Sequence, residues 1–275
     1  MKFIRFLKFD INNGILKRYK TYIGFSIFII IVFFDCQATA RSFNTNFTLG
    51  EYFMYLYGGI KHYIPTPGEP FKMPYLWLLN HMLILYFTLK YAPSDLNGFG
   101  QQTIYRSGGR TTWWISKCVW QILSIGGYYI VSWITMLVMT LVSKDVLSLN
   151  ITPSVLLFAD FGNNILPFTS INLGIELLAL PLMFTVSLGL LQLTLSIAFK
   201  PTYAYIISAA LCIMASHTQN PLLFGNYAMA IRNSKVISNG MSTPIGFISM
   251  LILSLICIVM GAVRFSKYDI LNREE

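Results

Sequence analysis

The run FSIFIIIVFF, residues 25–34, carries one hydroxyl and otherwise only aliphatic and aromatic side chains. It does not alternate as a half-buried strand would. With its flanks it fills residues 22–39, long enough as a helix to cross about 30 Å of hydrocarbon at 1.5 Å per residue. The chain around it has the same character. Of 275 residues, 55% are hydrophobic and 11% are charged, and the mean hydropathy is +0.59. A soluble domain has roughly twice that charged share, because it must cover its core with polar surface. The composition therefore predicts an all-α integral membrane protein, a single transmembrane domain over residues 1–275.

Five further apolar windows follow: 74–91, 119–142, 173–199, 203–217 and 245–265. Lys and Arg test the orientation. With both termini inside, 14 basic residues lie inside and 6 outside, which accounts for all 20. That bias is the positive-inside pattern and predicts six spans with both termini in the cytoplasm. The net charge of +9 then sets topology, and no compact basic domain is left to bind nucleic acid. The segment MKFIRFLKFDINNGILKRYK, residues 1–20, interleaves Phe and Ile with Lys and Arg. It predicts an interfacial amphipathic helix on the anionic inner leaflet, touching membrane lipid. No clear small-x-small cleavage pattern follows the first run, so that run is expected to stay as a span.

The outside segments differ. Residues 40–71 are aromatic-rich and predict a short helix lying flat at the outer interface. Residues 143–171 carry Pro153, Gly162 and Pro167 and predict an irregular loop, and residues 218–244 a loop with a short helix.

Catalytic patterns are missing. The chain has no GxxxxGK[ST] phosphate loop, HExxH pair or GxSxG elbow, so it is not expected to be an enzyme or to hold a cofactor or metal. Cys36, Cys118, Cys212 and Cys257 have no metal-ligand spacing and are expected to pack as small apolar groups. Asp35 and Glu176 stand at the outer ends of the first and fourth spans. Asn80 and His81 lie midway along the second. An ionisable or amide group at membrane depth is a candidate for a polar pathway or an interface. Asn80 and His81 are expected to bond neighbouring helices, while Asp35 and Glu176 could meet at the outer boundary. Pro181 should kink the fourth span.

The longest inside connection, residues 92–117, ends in RSGGRTTWWISK, residues 106–117. Pro93 and Asp95 read as stop signals. Gly108 and Gly109 should break a short helix, and Thr111 or Thr112 should cap a new one that starts at Trp113. The segment resembles the R-S-G-S-R-x-x-W-W-x-x-K stretch between the second and third spans of ABC-2-type (type V) ABC transporter permeases. The basic amphipathic start and the ending GAVRFSKYDIL are similar to that family's connecting helix and last span. The first outside loop is longer than in many members.

The resemblance implies a permease without its own ATPase, paired with an identical or homologous second permease chain and with ABC ATP-binding subunits. ATP and Mg would be bound by those partners. Residues 97–110 would form the coupling helix, with Arg106, Gly108, Gly109 and Arg110 at the contact. Trp113, Trp114 and Lys117 would anchor it to the membrane. Cargo would be an amphipathic peptide, an antimicrobial or a lipid-like molecule, exported across the plasma membrane of a Gram-positive bacterium. The rivals are a secondary transporter, a membrane-embedded enzyme and a non-transporting immunity protein.

Overall fold

The computed structural model describes residues 2–65, 70–107, 109–159 and 165–268. The chain is mostly helical. Its helices are α1 (Lys2–Gly14), α2 (Tyr19–Ser42), α3 (Leu49–Tyr57), α4 (Tyr75–Leu89), α5 (Tyr91–Leu96), α6 (Phe99–Ser107), α7 (Arg110–Ser143), α8 (Gly174–Ala198), α9 (Pro201–His217) and α10 (Thr243–Ser266). Two short antiparallel strands, β1 (Asn150–Ile151) and β2 (Ile171–Asn172), close the α7–α8 connection, with Asn150 facing Asn172.

Four of the described helical stretches are long and apolar enough to cross a membrane: Phe3–Ser42, Arg110–Ser143, Gly174–Ala198 and Thr243–Ser266. Their outward faces are oily. Ile27, Ile31 and Phe34 of α2, Ile130 and Ile134 of α7, and Leu251, Leu255 and Val259 of α10 are each more than half exposed. Water would not tolerate a surface of that extent on a monomer. The buried side holds polar groups such as Gln121, Ser132, Thr140, Thr185 and Gln192. Apolar outside and polar inside is the arrangement of a membrane-associated protein.

α1–α2 and α7 form a parallel rail. Asp10 meets Ser116 and Lys117, Tyr22 meets Ser124, Thr21 meets Tyr128, Ser26 meets Thr135, and Gln37 meets Ser143. The offset between partners stays between 102 and 109 residues along the whole rail. Two helices of equal rise hold that offset only if they run side by side in one direction.

The expected amphipathic helix over residues 1–20 is α1, Lys2–Gly14, and the rail gives its inward face a protein partner. α1 passes through a 3-10 turn, Leu16–Arg18, into α2. Its buried positions are Phe6, Asp10 and Gly14, four apart, and they face protein. Gly14 is required there, because a side chain would run into the rings of Trp120 and Tyr91. Ile4, Arg5 and Lys8 remain outside.

Three other expectations change. α7 starts at Arg110, behind Gly109, and no threonine caps it. Pro93 sits inside α5, near its start, where the missing N–H has no helical acceptor to serve. α3 packs inside the protein. Its sequence LGEYFMYLY is apolar apart from Glu51, and Leu49 to Met54, Leu56 and Tyr57 are all buried. Thr48 caps it, with Glu51 returning the bond to the Thr48 N–H.

Arg232 closes the end opposite α6. It is fully buried, and among the described residues no carboxylate bonds it. Its guanidinium donates to the carbonyls of Ile60 (2.7 Å), Lys61 (3.1 Å), Ala215 (2.6 Å), Ser216 (2.6 Å) and Thr218 (3.4 Å), and to the Asn226 side chain. Three of those carbonyls end α9, where the helix dipole is negative. Burial lowers the Arg232 pKa to about 10.

At the other end α10 meets α7 closely enough that a methyl group on Gly261 would fall on the Trp114 ring. Gly261→Ala should therefore cost about 1–3 kcal/mol through overpacking. Gly126→Ala, which points into open space, should be neutral or gain up to about 1 kcal/mol from helix propensity. Thermal unfolding in detergent checks both, and equal melting temperatures would contradict the close α7–α10 contact.

Candidate functional site

Two of the buried polar clusters join long helices to one another. The first lies where α1, α5 and α7 meet, directly before α6. Lys117 projects from the second turn of α7, and its side chain is 1% exposed. Its ammonium pairs with Asp10 of α1 and, at 2.7 Å, with Asp95 of α5. It also lies 4.9 Å from the Tyr91 ring centre and 5.1 Å from that of Trp113, a placement in which ring faces attract a cation.

The carboxylates are held in turn. Asp10 accepts from Ser116 Oγ at 2.5 Å and from Tyr91 Oη at 2.9 Å. Asp95 accepts from Trp113 Nε1 at 2.9 Å. Arg18 stacks 5.3 Å from the Tyr91 ring and donates to the Phe87 carbonyl. A buried charge costs several kcal/mol unless it is paired and bonded, and here each charge has at least two partners. Such a knot does mechanical work. It holds three chain segments together at one atom.

The second place lies midway along α4, α7 and α8. His81 Nδ1 shares a 2.7 Å hydrogen bond with Thr185 Oγ1. Tyr129 Oη lies 2.7 Å from Thr185 Oγ1 and donates to the Pro181 carbonyl at 2.9 Å. Asn80 Nδ2 reaches Tyr129 Oη at 3.5 Å. Pro181 cannot donate to the carbonyl one turn before it, and its own carbonyl takes both Tyr129 and Thr185. His81 also packs edge-to-face on Trp77 and Phe184. Asn80 Oδ1 and His81 Nε2 are buried without a hydrogen-bond partner.

Several sequence expectations are met differently. Trp113, Trp114 and Lys117 were candidates for a membrane anchor, and all three are buried in protein. Trp113 stacks on Phe265 at 4.8 Å, and Trp114 donates to the Ile258 carbonyl at 2.9 Å. They fasten α10 and the ionic knot, and an anchor would need to face headgroups. Arg110 donates to the Ser266 carbonyl at the end of α10. Gly109 stands between α6 and α7. Gly108 and the Arg106 side chain lie outside the described residues.

Asp35 and Glu176 have different partners. Asp35 is exposed and accepts from Tyr55 Oη at 2.7 Å. Glu176 is buried, accepts from Thr243 Oγ1 at 2.9 Å and pairs with Lys235 at 2.7 Å. Sequence reasoning missed Asp10 and took Asp95 for a turn signal. The clue to Asp10 was its place four residues after Phe6, the one acid in a basic segment. The clue to Asp95 was weaker, because its partner lies 22 residues on.

Tyr129→Phe removes the hydroxyl shared by His81, Thr185 and Pro181. It should cost about 1–3 kcal/mol in thermal unfolding, while Tyr19→Phe, more than half exposed, should cost nothing measurable. Equal behaviour of the two would remove the polar cluster from the account of stability.

No curated protein matches the chain. A family model described as "Protein of unknown function (DUF2705)" matches residues 27–271. That match takes in all of α3 to α10 and most of α2, and the chain belongs to the DUF2705 family.

Proposed function

We propose that this protein is the permease subunit of an ATP-driven exporter of the ABC-2 type, lodged in the plasma membrane of a Gram-positive bacterium. The observation that carries the reading is α6. It is a nine-residue helix, FGQQTIYRS, set between two membrane helices and fastened at its root by Asp95 to the base of α7. A coupling element needs that placement, a short polar helix at the end of the spans with a rigid tie to them. On this reading the partner is an ABC ATP-binding subunit that binds ATP and Mg, and a second permease chain completes the pathway.

The reading takes α4 and α9 as two short spans, beside the four long ones, with both termini inside. Their contacts support it. Trp77, early in α4, bonds the Ala228 carbonyl in the outer loop, and the Phe87 carbonyl at its other end takes Arg18. α9 leads from Lys200 to the Arg232 clamp. Asn80, His81, Tyr129 and Thr185 would be a polar step in the bilayer's middle, suited to an amphipathic peptide, antimicrobial or lipid-like cargo.

Purification of the tagged full chain from native membranes in mild detergent should bring vanadate-sensitive ATPase activity with it. Arg106→Glu/Arg110→Glu should lower the retained activity about tenfold, as loss of ~1.4 kcal/mol of contact energy would. A chain that purifies alone, with no ATPase, refutes the reading.

A further inference from the structure

We infer that Lys117 is a positioning residue that sets α6 against the first span, through two arms of unequal strength that separate in a fixed order. What α6 docks on rests on the permease reading, whereas the joint itself belongs to this chain alone. Asp10 receives three donors, from Ser116, Lys117 and Tyr91. Asp95 receives two, from Trp113 and Lys117, and its side chain is more exposed, 8% against 1%. Charge-assisted bonds add with their number and weaken with exposure to water. The Asp95 arm is therefore the one that opens first, while Asp10 keeps the ammonium paired and the rail intact.

The Asp95 arm leads straight to α6. A side chain on Gly100, in the first turn of α6, would fall on the Asp95 carboxylate. The carboxylate is thus wedged between the Lys117 ammonium and the root of α6. Movement that carries the α5–α6 corner away from α7 breaks the Lys117–Asp95 pair, and Lys117 keeps Asp10 when it does. The arrangement allows α6 to swing while the Lys117 ammonium keeps one carboxylate, and Asp95, the more exposed of the two acids, keeps Trp113 Nε1 as its donor.

The test is hydrogen exchange by mass spectrometry on the full chain in lipid nanodiscs, without added partner. Asp95→Asn should speed exchange in residues 99–107 about tenfold, with α2 and α8 unchanged. Asp10→Asn should instead loosen residues 3–14 and leave 99–107 protected. Both variants should keep a melting temperature near that of wild type, because Lys117 retains one carboxylate. Lys117→Met leaves two unpaired buried acids and should unfold readily, and Lys117→Met/Asp10→Asn/Asp95→Asn should recover the fold with 99–107 still loose. Wild-type exchange in 99–107 for Asp95→Asn, or equal loosening of every helix, overturns the inference. The expected exchange pattern in a chain that recruits no ATPase supports the joint and defeats only the permease reading.

Discussion

One ammonium group, buried where three helices converge, is the constraint on which the α6 end of this molecule depends. Lys117 cannot be taken out of water without opposite charge beside it. Satisfying it brings Asp10 and Asp95 from chain segments 85 residues apart to a single atom. The aromatic walls follow from the same need. Tyr91 and Trp113 give their faces to the cation and their polar edges to the two acids. α10 is then seated against the outside of this knot through Trp113, Trp114 and Arg110.

The rest of the bundle applies the membrane's inverted logic. Lipid-facing positions need only be apolar, so they carry Ile, Leu and Phe. Helix-to-helix specificity then has to come from polar pairs and close approach. The rail between α2 and α7 shows both. Hydroxyl and amide pairs recur along it at an almost constant offset, and they fix the register that interchangeable aliphatic side chains would leave loose. α8 joins through Thr185 and Gln192, which bond Pro181, Tyr129 and the Leu85 carbonyl.

The hydropathy of the sequence located the long helices well. The windows 173–199 and 245–265 fall within two residues of α8 and α10. Apolar runs are read correctly because lipid imposes one rule on each residue by itself. What the sequence concealed depends on pairs. Lys117 reads as a flank of a span, and its burial follows only from two acids, one 107 residues earlier. Trp113 and Trp114 carry the composition of an interfacial belt, yet Gly261 and Phe265 of α10 remove them from the interface. α3 reads as an interfacial helix because it is aromatic-rich, while the same side chains serve equally well for burial, with Glu51 turned back onto its cap. His81 was legible as a helix-bonding group, and its partners Tyr129 and Thr185 were not.

Arg232 has a consequence of another kind. The cap at the end opposite α6 is clasped by a guanidinium whose partners among the described residues are neutral: five carbonyl oxygens and one amide. Mobile ions weaken attraction between full charges and act little on a buried cation among dipoles. A clasp of this composition keeps its grip across brine and dilute medium alike, where a pair of opposite charges at the surface would slacken and tighten with every change.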